Sequence, residues 1–205
     1  IRRYKPYYYP KVGEASFPMG TCLDLFCGRG GWSKGFMAEG FDCVGVDIAR
    51  EILREYPSDM ILADLSTFRP RGLFDVIVAS PPCTEFSVVK RTWRPRGMKA
   101  DFQKGMRLVE ATFEIIRELK PEVWIFENVC CNELALELLP REPVLKFSHS
   151  KRGWRWLWSN IDLPLLFDYK DKRDLANRIR DPWKRAEIPF PVARAVAKAV
   201  RQELN

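Results

Sequence analysis

The chain has a single histidine in 205 residues, and none of its six cysteines forms a C-x-x-C pair. A zinc centre built from Cys and His therefore lacks ligands, and no metal site is expected. No apolar run reaches the roughly 18–20 residues that span a bilayer, so no membrane partner is expected. The opening residues Ile1-Arg2-Arg3-Tyr4 have no apolar h-region, which argues against a secretory signal. The absent initiator Met points to a trimmed start. Without a secretory signal or a disulfide spacing, the expected setting is reducing and intracellular, cytoplasmic or nucleoid-associated. Internal repeats and low-complexity tracts are missing too. Cys22, Cys27, Cys43, Cys130 and Cys131 lie in or beside apolar runs and read as buried thiols. Cys83 stands apart, because it follows Pro81-Pro82 in a polar stretch.

What is present is a globular composition: 46% hydrophobic and 13% aromatic, which argues against wholesale disorder. The length suits one domain. The net charge of +7 hints at a polyanion partner, weakly when taken alone.

Residues 1–16 hold four tyrosines without a clear period and read as an extended arm. From residue 21 a β/α rhythm begins. Strands are expected at 22–27, 41–46, 60–63, 74–80 and 123–126, with two more at 144–147 and 154–158. Helices are expected at 32–39, 49–56, 102–119, 132–139 and 192–204. The apolar residues Phe102, Met106, Val109, Phe113 and Ile116 recur at helical spacing. The stretch 160–187 is polar, charged and without a clear period. The alternation implies an α/β fold, a mostly parallel sheet with helices on both faces. In such sheets a ligand sits beyond the carboxyl ends of the strands. The chemistry-bearing residues all fall there: Cys27-Gly28, Asp47, Asp64, Pro82-Cys83 and Glu127-Asn128.

Asp24-Leu25-Phe26-Cys27-Gly28-Arg29-Gly30-Gly31 is a strand followed by a glycine-rich turn. It is neither a Walker loop nor a G-x-G-x-x-G fingerprint. Asp47, 19 residues after Gly28, gains weight from its place at the end of the second strand, where an acid can accept ribose hydroxyls. Asp64 at the end of the third strand could face an adenine amino group. Taken singly, each of these acids is equally well a helix cap.

Pro81-Pro82-Cys83 leads into a basic segment. Residues 90–107 contain Lys90, Arg91, Arg94, Arg96, Lys99, Lys104 and Arg107 against Asp101 alone, with Trp93 and Phe102 interleaved. Positive charge lowers a thiol pKa. Basic side chains meet phosphates and rings stack on bases, so the segment reads as a nucleic-acid groove or, in isolation, a solvated loop.

Three motifs in this order, 24–33 (DLFCGRGGWS), 81–87 (PPCTEFS) and 127–129 (ENV), resemble the signatures of the cytosine-C5 methyltransferases. The resemblance covers roughly residues 20–160 and the last helix. It implies a Rossmann-like S-adenosylmethionine-dependent methyltransferase fold acting on a base flipped from its stack. It implies Cys83 as the nucleophile, Glu127 as the group facing cytosine N3 in an apolar setting, and Arg155 as the contact to O2, with Arg152 as rival. Asp24, Phe26, Cys27, Gly28, Gly30, Gly31, Asp47, Ile48, Asp64, Leu65 and Pro81 would hold S-adenosylmethionine. Ser87 would face a phosphate, joined by Lys90, Arg91, Arg94 and Arg96. The Gln-x-Arg-x-Arg signature and the Gly-Asn of the closing segment are absent.

The resemblance divides the chain into an arm (1–16), a catalytic domain (17–159), a reduced target-recognition region (160–187) and a returning helix (188–205). The third part is too short for a core of its own. Recognition is then minimal, or comes from the 81–107 loop, the arm, a partner chain or self-association. DNA is the expected substrate. The alternatives are tRNA or another RNA, and a non-catalytic nucleic-acid-binding relative. Restriction-modification, phage self-protection and epigenetic marking are all compatible with the motifs.

Overall fold

The computed structural model describes residues 18–83, 102–129, 139, 143–150, 153–163 and 181–205. Of the expected features, the arm at 1–16, most of the helix at 132–139, Cys130, Cys131, Arg152, Ser87, Lys90, Arg91, Arg94 and Arg96 lie outside the described residues. So does 164–180, most of the short recognition region.

The described elements run in the order β1 (Thr21–Leu25), α1 (Gly31–Ala38), β2 (Asp42–Asp47), a 3-10 turn (Arg50–Ile52), β3 (Asp59–Leu62), β4 (Val76–Ala79), α2 (Phe102–Leu119), β5 (Val123–Val129), β6 (Leu145–Ser150), β7 (Gly153–Ser159), α3 (Pro182–Ala186) and α4 (Phe190–Glu203). They make a seven-stranded sheet in the order β3-β2-β1-β4-β5-β7-β6. The first five strands pair in parallel. β7 is antiparallel to β5, and β6 to β7.

Strand residues alternate between two cores, as a doubly covered sheet requires. Cys22, Val76, Val78, Val123 and Ile125 face one side, with Trp32 and Phe36 of α1 and Val192, Val196 and Val200 of α4. Leu23, Leu25, Ile77, Ala79 and Phe126 face the other, with Val109 and Ile115 of α2. Helices therefore cover both faces, as the alternation implied. α1 and α4 come together at Gly35, where a Cβ would stand 2.5 Å from Ala193. At 2.5 Å no side chain fits, so the two helices can pack this closely only at glycine.

Two expectations need correction. The helix at 49–56 is only the 3-10 turn Arg50–Ile52. The chain turns there because Tyr56 is drawn inside: its ring sits where a Cβ on Gly45 of β2 would be, 2.4 Å from Cζ. The strand expected at 123–126 runs on to Val129, so Glu127 and Asn128 lie within β5 rather than past its end. β7 is the reason: Glu127, Asn128 and Val129 pair with Leu157, Trp156 and Arg155, which keeps β5 extended after β4 has stopped.

The order of strands reverses between β1 and β4, whose neighbours continue outwards on opposite sides. That switch opens a crevice at the carboxyl edge, and both the glycine turn and Pro81-Pro82-Cys83 leave the sheet there. Among the described residues, no helix is long and apolar enough to cross a membrane, and no cluster of His, Cys, Asp and Glu could hold a metal ion.

Candidate active site

Three positive φ values shape the turn after β1: Phe26 at 58°, Gly28 at 50° and Gly30 at 74°. Phe26 is a bulky side chain in left-handed backbone, a strain that persists only when the surroundings impose it. Backbone bonds impose it here. Cys27 N–H donates to Val46 O at 3.2 Å, and Gly30 N–H to Cys27 O at 2.8 Å. Among the described residues, a Cβ on Gly28 would meet only the Trp183 ring, at 3.9 Å.

Asp47 holds the turn from β2. Its Oδ2 accepts from Gly28 N–H and its Oδ1 from Ala49 N–H, both at 2.9 Å. Each oxygen keeps a second lone pair. Beside it, Ile48 is 65% exposed, an apolar side chain left open at the edge of the crevice. Asp64 is exposed, and a hydrogen bond from Ser66 holds its carboxyl below the usual range. Leu65 is buried.

Asp24 and Cys27 point inward. Asp24 is 1% exposed. Its Oδ2 accepts from Ser33 Oγ at 2.7 Å and from Ser33 N–H at 3.3 Å, while Oδ1 has no protein partner among the described residues. Burial pushes this carboxyl up to about 7, against the opposing Ser33 hydrogen bonds. Ser33 Oγ also meets the Tyr56 hydroxyl at 2.5 Å. The Cys27 thiol lies under the turn, where a Gly45 Cβ would stand 2.7 Å from its sulfur, and burial raises its pKa strongly. Its side chain supports the turn rather than lining the crevice. Gly31 is buried at the start of α1, where a Cβ would stand 2.7 Å from Ile188 N.

Across the switch, β4 ends at Ala79 and Ser80 N–H donates to Leu25 O at 3.2 Å. Trp32 Nε1–H donates to Ser80 Oγ at 2.9 Å. Pro81 is buried, and its carbonyl accepts from Asn128 Nδ2 at 3.1 Å. Two elements therefore grip the segment leading to Cys83, a half-buried thiol. Glu127 is 3% exposed and accepts from Arg155 Nη1 at 2.9 Å. Phe126 and Trp158 pack edge to face on the opposite side of the sheet, while the pair shares its own face with Ile125 and Leu157. To that setting β7 adds the Arg155 guanidinium, set directly on Glu127.

The structure brings together Cys83, Glu127 and Arg155 at one edge, with the glycine turn and Asp47 across the switch. Sequence reasoning missed Trp32, Asn128 and Arg29 as ties, and missed α3 entirely. The Asp181-Pro182 pair was the available signal, an N-cap followed by Pro at the first helical position.

The model of the C-5 cytosine-specific DNA methylases matches residues 20–131, more than half of the chain. The chain belongs to this family. It is a DNA (cytosine-5-)-methyltransferase by class. The methylase is 37% identical over 154 residues to a frog virus 3 protein named "Probable DNA (cytosine-5)-methyltransferase", covering 68% of this chain and 70% of that one. It is 33% identical over 117 residues to the type II methyltransferase M.AplI of Arthrospira platensis, covering 52% of this chain. M.HgiCII of Herpetosiphon aurantiacus is 30% identical over 118 residues, also covering 52%. The matches span only 30% and 25% of those two enzymes. A solved E. coli structure, titled "putative DNA modification methyltransferase encoded within prophage", superposes with a TM-score of 0.51 at 21% identity. It covers 68% of the methylase and 45% of that chain, and it shows the shared methyltransferase fold.

Proposed function

We propose that the methylase methylates C5 of a flipped cytosine in DNA through a covalent adduct on Cys83, aided by Glu127 and Arg155. The observation that carries this reading is the bond from Asn128 to the Pro81 carbonyl. It ties the Pro-Pro-Cys segment to the strand of Glu127, so nucleophile and acid share one frame.

The residues present suit S-adenosylmethionine. Among the described residues only the Trp183 ring comes near the place of a Gly28 side chain, so the backbone can be approached closely there, and Asp47 keeps acceptor capacity for ribose hydroxyls. Ile48 offers an apolar surface to an adenine ring, with Asp64 nearby in sequence for its amino group. Asp24, held inward on Ser33, supports the turn from beneath rather than facing S-adenosylmethionine. When bound, this group supplies an electrophilic methyl.

Cytosine C5 is a weak nucleophile until the ring is made electron-rich. The Cys83 thiolate adds to C6, the C5=C6 double bond opens, and its electron pair becomes available at C5. Charge that develops on the ring is met at N3 and the exocyclic amine by Glu127, which holds a proton there. Arg155 orients Glu127 and faces O2. After methylation, C5 loses its proton, the double bond re-forms and the Cys83–C6 bond breaks. In this reading Pro81 presents the cysteine, while Ser87, Lys90, Arg91, Arg94 and Arg96 grip phosphates. Residues 160–187 form a reduced recognition region, so target choice rests on few bases or on a partner chain.

Labelled S-adenosylmethionine offered with unmethylated genomic DNA and with tRNA tests the reading. Label is expected in DNA at C5, and a duplex containing 5-fluorocytosine should trap a covalent complex. Cys83→Ser should lose both signals; unchanged transfer in that variant would overturn the nucleophile, and label confined to tRNA would overturn the substrate.

A further inference from the structure

Helix α3 has only five residues, yet it touches both halves of the site. At its start, Asp181 divides its carboxylate between two tasks. Oδ1 accepts from the N–H groups of Trp183 at 3.0 Å and Lys184 at 3.3 Å, capping the helix. Oδ2 receives Arg29 Nη1 at 2.5 Å. Arg29 stands between Gly28 and Gly30 and also pairs with Glu55 at 2.7 Å. The Trp183 ring stands 3.9 Å from where a Gly28 Cβ would be. At the other end, Ala186 O accepts from Arg155 Nη2 at 3.0 Å, the guanidinium whose Nη1 meets Glu127. The next residue, Glu187, pairs with Lys34 of α1 at 2.5 Å.

One short, capped element is therefore fastened to the glycine turn at its start and to the catalytic pair at its end. At about 1.5 Å rise per residue its span is roughly 7–8 Å, short enough to move as a unit. A cap alone explains only half of Asp181: the helix needs an acceptor for two N–H groups and has no need of Arg29.

We propose that Arg29 and Asp181 are positioning residues, forming a clasp through which ordering of the glycine turn by the cofactor also orders Arg155 and Glu127. The proposal rests on the cofactor and catalytic assignments above. Its consequence is linkage: a ligand at the turn lowers the freedom of β7, although it does not touch that strand.

Asp181→Asn separates the two tasks, because an amide oxygen still caps while the ion pair to Arg29 is lost. Arg29→Met removes the clasp without touching the cap, and so covers the case in which Asp181→Asn folds poorly. Amide hydrogen exchange with and without saturating S-adenosylhomocysteine, followed by mass spectrometry, gives the readout, with calorimetry reporting binding. In the wild type, ligand should slow exchange in 27–33 and also in 153–159, the latter by about fivefold or more. In both variants the slowing should persist at 27–33 and fall to about onefold at 153–159. A purely structural role changes exchange equally with and without ligand. Wild-type protection that stops at 27–33, or variants that protect 153–159 as the wild type does, would overturn the clasp. No binding of S-adenosylhomocysteine by the wild type would overturn the cofactor assignment, and the clasp with it.

Discussion

Glu127 and Arg155 meet at 2.9 Å with 3% and 11% of their side chains exposed, so neither charge can be solvated if the other is lost. Arg155→Ala should destabilise the fold by about 3 kcal/mol, because a buried carboxylate is left alone. Thermal unfolding should show part of that loss recovered in the double variant with Glu127→Gln. On activity, Glu127→Gln alone should lower kcat by about 10²-fold or more, since an amide cannot hold the same proton on the ring. Asp24 offers a pH test. Its folded pKa is raised from 3.8 to about 7 by burial. The protonated form suits the folded state, so its stabilisation is full below about pH 4 and is lost as pH rises through about 7. The unfolding temperature of the wild type should therefore fall relative to Asp24→Asn between about pH 4 and 8, then run parallel; a constant difference across that range would refute the buried-acid assignment. That Cys83, Glu127 and Asp47 come to the carboxyl edge of the sheet was legible in the sequence. The ties through Trp32, Asn128 and Arg29 were not, because hydrogen bonds across 47, 48 and 152 residues leave no local pattern.

Among the elements, α2 follows the sequence pattern to its end at Leu119, because its apolar stripe and the Pro121 stop agree. β5 does not, because its last three residues are extended by pairing with β7, a partner some 30 positions away. The short turn after β2 departs for a similar reason, since Tyr56 is taken up beside Gly45. The approach of α1 to α4 yields a further prediction. Gly35→Ala would place a methyl 2.5 Å from Ala193, so the helices must separate. A loss of about 1–3 kcal/mol in denaturant unfolding is expected, with no change in the m-value. Glu39 strengthens the same contact, accepting from Arg194 at 2.8 Å and pairing with Arg201 at 3.1 Å. That pairing holds its carboxyl below the usual range.

For the whole molecule, the reversal of strand order between β1 and β4 explains why two motifs 50 to 60 residues apart work at one edge. Each motif ends a strand, and the switch leaves a gap between the chain segments that follow them. Charge matters at this scale too. Residues 90–107 hold seven of the chain's basic side chains against one acid. If about four to six of them neutralise phosphates, DNA affinity should fall by roughly 10²–10³ between 50 and 200 mM salt. A filter-binding series would check the slope, and a flat response would remove this segment from the interface. The short 160–187 region predicts a methylated context of only a few base pairs, readable from bisulfite sequencing of treated genomic DNA.

By itself the sequence determined the alternating β/α order, the two-faced sheet, the family motifs and the type of side chain at each strand end. These depend on local period and on residue chemistry, which are written along the chain. Tertiary structure alone decided which oxygen meets which donor. It extended β5 past its neighbour, set Arg155 on Glu127, turned Asp24 and Cys27 inward, and bound α3 to the glycine turn through Arg29 and Asp181. Apart from the bonds of Asp24 to Ser33, each of those outcomes is a contact between residues far apart in the chain. Its geometry comes into being only when the sheet has brought the strand ends together.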